Sequence, residues 1–358
     1  MPPTDVRPGW PRWAWTVLIA GSLVGAMVIG VWVRWAMAGG STLPLPFDNL
    51  RHGHSHLGYF GVLFPLAWLG WRASDAPVPG PRGLWLYAVF NAVALVGFLR
   101  SGYGVIAIVG STAIAAVWVW SAVPLVRRMR HLGDPLAVAP LGILLSLACV
   151  PPIALTLRSD PVLASGLVST FLSGLLFLVI VPSALGAARV SPGPWPLFLI
   201  AGALGALALG VAPQVATRAG LLVYAALIAA PAVSSRLESH VRVAWAAVCV
   251  GLVLLALGLL PNTRPVALGA IHFLILGPLL ATLVPSWLPR EIPGWAWWLG
   301  HGIWGTMAAA LVAQAFFSAP WTWTAAALGG TGTLLWWVAV LAYQAKGPTP
   351  RGIGPSLI

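Results

Sequence analysis

The sequence predicts an all-α, polytopic membrane protein with twelve transmembrane helices. Of its 358 residues, 59% are hydrophobic and only 7% are charged, whereas a soluble domain carries about 25% charged residues. The mean hydropathy is +0.91. A soluble fold of this composition would expose large contiguous apolar patches, which drive association, and disordered chains are poor in apolar residues. Both of those classes are therefore excluded.

Twelve apolar runs follow one another along the chain, each close to the roughly 20 residues that a bilayer-spanning helix needs. In order they are 13–33, 54–72, 83–99, 102–126, 136–157, 161–187, 194–214, 217–235, 241–261, 265–287, 295–318 and 321–345. They leave only short loops, so we predict a single transmembrane domain over residues 1–358. No internal repeat is evident in the sequence.

The basic residues are distributed unevenly between alternate loops. With the N-terminus inside, thirteen of the 19 Lys and Arg residues fall on the inner side. Because cytoplasmic loops carry such an excess, both termini are predicted to be cytoplasmic. The net charge of +12 is scattered over many loops, which argues against a nucleic-acid-binding surface and favours contact with anionic lipid.

Three histidines stand at alternate positions at the outer start of the second run. At about 100° per residue, His52 and His56 share one helix face and His54 points away from it. The face of His54 continues through Gly58 and Gly61, where missing side chains leave space for a flat macrocycle. The alternative is a group of interfacial histidines that hydrogen-bond lipid headgroups and water.

His272 lies a few residues into the tenth run, which crosses the membrane in the same direction as the second. It is therefore predicted at the same depth as His54 and His56, in the outer half of the membrane. Two neutral imidazoles that face each other at one depth form an axial ligand pair for haem iron. The sequence leaves open which of His54 and His56 is the partner, and a hydrogen-bonded core histidine is the alternative for His272.

Arginines at the outer helix ends are candidates to bind the haem propionates. Arg51, Arg100 and Arg264 occupy such positions, and a guanidinium binds a carboxylate bidentately. The alternative for each is that its side chain extends from the apolar helix end to the membrane surface.

The remaining histidines carry less weight. His131 and His240 fall in basic loops and are predicted to be solvated. His301 lies near the inner start of the eleventh run, in the other leaflet. Either a second site or a hydrogen bond to a backbone carbonyl is compatible with that position.

Two histidine motifs resemble known membrane proteins. Histidines at the outer ends of helices two and ten resemble those of subunit I of the haem-copper oxidases, in which these helices carry the axial ligands of the low-spin haem. The motifs His54-Ser-His56-Leu-Gly-Tyr-Phe60-Gly61 and His272-Phe-Leu-Ile-Leu-Gly277 more closely resemble the NnrS family. Its members are twelve-helix haem- and copper-containing membrane proteins associated with nitric oxide stress. The resemblance implies an oxidase-subunit-I-like bundle with haem b and copper as cofactors.

The chain also departs from those families. The loop after the late helix reads Val284-Pro-Ser-Trp-Leu-Pro-Arg-Glu291 and lacks the family's Gly-His-Thr-Gly-Arg-like motif. Helices six and seven contain no histidine, so the oxidase copper ligands are missing and oxygen reduction is not expected. His52 and His56 are the only local pair for copper, which usually takes three or four ligands.

The sequence therefore predicts a haem-b-binding protein of the bacterial inner membrane in redox or nitric-oxide-linked chemistry. His272 and one of His54 and His56 would be the axial ligands, and nitric oxide or a quinone would be the reactant. One alternative is a metal or small-solute transporter that uses the three-histidine cluster, although no intramembrane carboxylate supports it. Another is a haem-bearing subunit that associates with other respiratory subunits.

Overall fold

The computed structural model describes residues 12–157, 159–212, 214–288, 290–317 and 319–346. Every regular element in these ranges is helical, which confirms the predicted all-α class. In chain order the helices are α1 (Arg12–Met37), α2 (47–73), α3 (Pro81–Ser101), α4 (Val105–Arg130), α5 (Pro135–Thr156), α6 (Pro161–Ala187), α7 (Trp195–Leu209), α8 (Val215–Val233), α9 (Ser239–Ala256), α10 (Arg264–Ser286), α11 (Gly294–Ala313) and α12 (Pro320–Ala345).

Within the described ranges, nine of these helices are long and apolar enough to cross a membrane. The exceptions are α2, α7 and α11, so a count of twelve membrane crossings stays a prediction. Helix α7 is short, whereas α2 and α11 contain more polar, glycine or tryptophan residues. The terminal segments 1–11 and 347–358, which contribute to the predicted orientation, lie outside the described residues.

Several helix boundaries differ from those predicted, and two of the differences bring a polar residue into a helix. Helix α2 begins at Phe47, directly after Pro46, and not at residue 54. Helix α1 continues to Met37, and not to residue 33. As a result, Arg34 and His52 lie inside helices, although the apolar pattern places them between helices. The sequence pattern misses both extensions because polar side chains interrupt the apolar run while the backbone stays helical.

The core is built where α2, α6 and α10 meet. Residues 61–71, 173–186 and 276–284 are almost continuously buried, and the C-terminal halves of the three helices pack against one another. Trp71 of α2 donates to Ser183 Oγ of α6 at 2.8 Å. A Cβ on Gly70 would lie 2.9 Å from both Leu283 Cδ2 of α10 and the Ser183 carbonyl oxygen, so glycine permits this close contact.

Each of the three central helices contains a π-helical segment near its middle. These segments are Leu57–Leu63, Leu176–Ile180 and Ile275–Leu279. Pro65 and Pro182 follow the first two segments by two residues, and Pro278 lies inside the third. Proline removes a backbone donor and clashes with the preceding turn, and π-turns are one way in which a helix absorbs such a break.

The three central helices, α2, α6 and α10, are spaced four helices apart in the chain. The structure therefore contains a repeat of four helices that the sequence does not reveal. Each central helix is followed by a tightly packed pair of helices, namely α3 with α4, α7 with α8, and α11 with α12. The three groups form a closed ring because α4 packs on α5, α8 on α9, and α12 on α1. Large apolar side chains are exposed along the helices, among them Ile200 of α7, Val250 of α9 and Leu335 of α12, as expected for contact with lipid.

We expect the substitution Gly70→Ala to lower the melting temperature of the detergent-solubilised protein. The added methyl group overpacks the junction of the central helices, which typically costs about 1–3 kcal/mol. The matched control is Gly21→Ala in α1, where a Cβ meets nothing within 4 Å. Differential scanning fluorimetry measures both, and equal melting temperatures for the two variants would contradict this account of the core.

Candidate functional site

His54 is held by the backbone of α1. Its Nδ1 donates to the Ala26 carbonyl oxygen at 2.7 Å, which leaves Nε2 as the nitrogen with the free lone pair. A Cβ on Gly30 would lie 2.7 Å from His54 Cε1, so only glycine at that position allows α1 to lie so close to the ring. The imidazole is therefore fixed in both orientation and tautomer.

His272 of α10 is held in the same way and faces His54. Its Nδ1 donates to the Leu268 carbonyl oxygen, one turn earlier, at 2.7 Å. The centroids of the two rings are 6.1 Å apart, and their planes differ by only 14°. The structure thus brings together His54 and His272. The sequence left open whether His54 or His56 is the partner of His272, and in the structure it is His54.

Arg34 of α1 completes this cluster. Its Nη2 lies 2.8 Å from His272 Nε2, and its Nη1 donates to the Gly30 carbonyl oxygen at 3.3 Å. The residue is only 9% exposed, and its buried Nε has no hydrogen-bond partner. No carboxylate of the described part of the chain forms an ion pair with it. A cation buried without a counter-ion costs several kcal/mol, so the site is poised for an anionic group.

His56 and His52 face away from this cluster, towards α3. His56 is 2% exposed, and its Nε2 lies 3.1 Å from the Asn91 carbonyl oxygen. Its ring also packs on Phe98, 5.2 Å away. The ring of His52 packs edge-on against Tyr103 at 4.4 Å. The predicted separation of His54 from the other two histidines is therefore correct, and His56 does not face His272.

The glycine face that continues from His54 is only partly open. A Cβ on Gly58 would meet nothing within 4 Å, whereas one on Gly61 would clash with Ser22 of α1. The sequence predicts space for a macrocycle at both glycines. The structure keeps that space at Gly58 and uses Gly61 for helix packing, because α1 runs alongside this part of α2.

The three predicted propionate arginines lie outside the buried cluster. Arg51 pairs with Asp48 at 3.1 Å, and Arg264 is close enough to both to interact electrostatically. Arg100 is exposed at the end of α3. Arg51 lies one helical turn before His54, so this ion pair sits at the end of α2 directly beyond the imidazole.

A metal site formed by the three histidines together is not seen. In the described ranges there is no group of three or more His, Cys, Asp or Glu side chains arranged to hold a metal ion. Comparison of the chain with protein-family models, with curated proteins and with solved structures finds no match in any of the three. The site must therefore be interpreted from its own geometry.

Arg34 is the residue that the sequence analysis missed. The apolar pattern leaves Arg34 outside the first run, which ends at residue 33. The signal was present, however, since Trp35, Ala36 and Met37 continue the apolar run beyond the arginine and Gly30 precedes it by one turn. A charge with apolar residues on both sides of it lies within a helix, and such a charge is usually functional.

We expect Arg34→Met, in protein without added cofactor, to melt at the same temperature as the unsubstituted protein or higher. The substitution removes a buried charge that has no counter-ion, together with its desolvation cost. Arg128→Met is the control, because Arg128 pairs with Asp134 at 2.8 Å and donates to the Ser74 carbonyl oxygen. That variant should lose about 1–3 kcal/mol. If Arg34→Met melts lower than Arg128→Met in scanning fluorimetry, the charge of Arg34 is compensated in the cofactor-free protein.

Proposed function

We propose that this chain is a haem-b-binding membrane protein that acts in redox chemistry, with His54 and His272 as the axial ligands. The observation that carries the proposal is the nearly parallel imidazole pair with an uncompensated arginine beside it. Haem supplies partners for both, since its iron takes two imidazoles and its propionates are anions.

The two imidazoles are prepared for an iron ion. In each, a backbone carbonyl oxygen accepts a hydrogen bond from Nδ1–H, so Nε2 is the nitrogen that would bind a metal ion. Metal-ligating histidines are commonly oriented through this kind of hydrogen bond at the other ring nitrogen. His54 and His272 would hold the iron through these nitrogens, and the 6.1 Å between the ring centres is wide enough for one ion with metal–nitrogen bonds of about 2.0 Å.

Arg34 has a double role in this proposal. Its guanidinium donates a hydrogen bond to His272 Nε2. The single lone pair of that nitrogen cannot accept this hydrogen bond and bind iron at the same time. Ligation therefore requires the guanidinium to move away from the imidazole. We infer that it moves to a propionate, and Gly330 of α12, where a Cβ would lie 3.4 Å from Arg34 Cδ, leaves room beside the side chain.

The chain's own residues determine what the site does. A haem with two histidine ligands carries single electrons. His54 and His272 come from different helices that the central core holds in place, so the two imidazoles would hold the group in a fixed position. The two imidazoles are half-buried, and the buried guanidinium of Arg34 would balance the negative charge of a propionate.

The place of action follows from the sequence and the apolar surface together. The exposed apolar faces support a multi-pass membrane protein. The distribution of Lys and Arg supports the bacterial inner membrane, with the Arg34 end on the outer side. The two histidine motifs support a role resembling that of the NnrS family, with nitric oxide or a quinone as reactant. Copper binding by His52 and His56 stays a prediction, and their separate contacts do not strengthen it.

We expect His54→Ala and His272→Ala to abolish the sharp α and β bands of the dithionite-reduced protein. Each substitution removes one axial ligand of the proposed pair. His52→Ala and His56→Ala are the matched controls, since both residues lie within two positions of His54 in α2, and these variants should keep the bands. Visible spectra of the detergent-purified variants test this. Wild-type bands in His272→Ala, or their loss in His56→Ala, would reject the assignment.

We expect Arg34→Met to weaken the binding of haem by about tenfold or more, which corresponds to about 1.4 kcal/mol, because a buried charge-assisted bond is lost. The same variant should bind haem dimethyl ester as well as the unsubstituted protein does, since the ester has no carboxylates. Absorbance titration of haem-free protein with the two compounds measures both affinities. An equal loss for haem and for the ester would mean that Arg34 does not bind a propionate.

A further inference from the structure

A second pair of imidazoles lies at the other end of the helix bundle. His240 in the first turn of α9 and His301 of α11 have ring centroids 5.7 Å apart, with a tilt of 36°. The sequence predicted His240 to be solvated in a basic loop, which is wrong, because it is only 3% exposed. Helix α9 begins at Ser239 and turns the imidazole inward, where it stacks on Trp297 at 5.5 Å.

His301 has polar atoms that nothing in the described structure satisfies. Both of its ring nitrogens are buried without a hydrogen-bond partner. Its ring is enclosed by indoles, with Trp304 at 5.1 Å and Trp297 at 6.2 Å. A neutral imidazole in such a cage forfeits two hydrogen bonds, and a buried polar group of this kind calls for a partner such as a bound ion.

His240 is oriented as a metal ligand is. Its Nδ1 lies 3.3 Å from Glu238 Oε2, and the carboxylate favours a proton on Nδ1, so Nε2 keeps a free lone pair. Carboxylate–histidine–metal arrangements use this contact to fix the tautomer and to raise the basicity of the ligand. The Glu238 side chain is 73% exposed, so the carboxylate that contacts His240 reaches solvent.

We propose that His240 and His301 together bind one transition-metal ion of the zinc or copper class, with Glu238 supporting His240 and water molecules completing the three or four ligands. Imidazole is a preferred ligand of these ions. An ion joined to one nitrogen of each ring, with bonds of about 2.0 Å, places the ring centres about 5–6 Å apart, and the observed 5.7 Å lies in that range. This site is separate from the haem site, since it uses other residues on α9 and α11.

The test is zinc binding by the metal-stripped, detergent-purified full chain, with a chromophoric chelator as competitor. We expect one zinc ion per chain to be lost in His240→Ala and in His301→Ala, and Glu238→Gln to weaken binding by about tenfold or more. His131→Ala is the control for an exposed histidine and should bind zinc normally. His272→Ala should also keep this ion, so failure of the haem proposal and failure of this one give different results.

Wild-type zinc affinity in both His240→Ala and His301→Ala would overturn the proposal, as would equal losses in His131→Ala. Absence of zinc binding by the unsubstituted chain would also overturn it. If the alanine variants elute as aggregates in size-exclusion chromatography, Glu238→Gln decides the question. That side chain is exposed, so its replacement leaves the packing intact, and an unchanged zinc affinity in that variant then contradicts the proposed role of His240.

Discussion

Close packing of α2, α6 and α10 is the constraint on which the rest of this structure depends. Below their π-turns the three helices approach one another so closely that Gly70 can carry no side chain, and Trp71 and Ser183 join two of them by a hydrogen bond. Each buried polar group in a membrane needs a partner within the protein. This junction therefore sets the position of α2 relative to α10, and with it the distance between His54 and His272.

On the N-terminal side of that junction, the proposed chemistry depends on three polar side chains, His54, His272 and Arg34, and on the hydrogen bonds that each of them makes. The carbonyl oxygens of Ala26 and Leu268 accept hydrogen bonds from the Nδ1–H groups of His54 and His272. Arg34 remains with a hydrogen bond to one imidazole and no carboxylate. The result is a site in which His54 Nε2 is available, His272 Nε2 is hydrogen-bonded to Arg34, and the positive charge of Arg34 is unbalanced. An anionic metal complex would satisfy both needs at once, and this is why we propose haem in preference to a bare metal ion.

The two histidine pairs, His54 with His272 and His240 with His301, lie at opposite ends of the bundle and share one feature. In each, an oxygen atom near Nδ1 fixes the tautomer and leaves Nε2 of a histidine available. The oxygen belongs to the backbone at His54 and His272 and to a carboxylate at His240. The surroundings differ, since glycines and an arginine flank the first pair and indoles enclose the second. A large anionic cofactor suits the first environment, and a single ion suits the second.

The sequence by itself determined the all-helical membrane class, because composition and the length of apolar runs depend only on the bilayer. It also determined that His54 and His56 point in opposite directions, since helical periodicity is local. The tertiary structure alone decided that His54 faces His272, that Gly61 serves helix packing, that Arg34 is buried in the site and that His240 meets His301. Each of these depends on which helices are neighbours, and the four-helix repeat that arranges them leaves no trace in the apolar pattern because every helix is apolar.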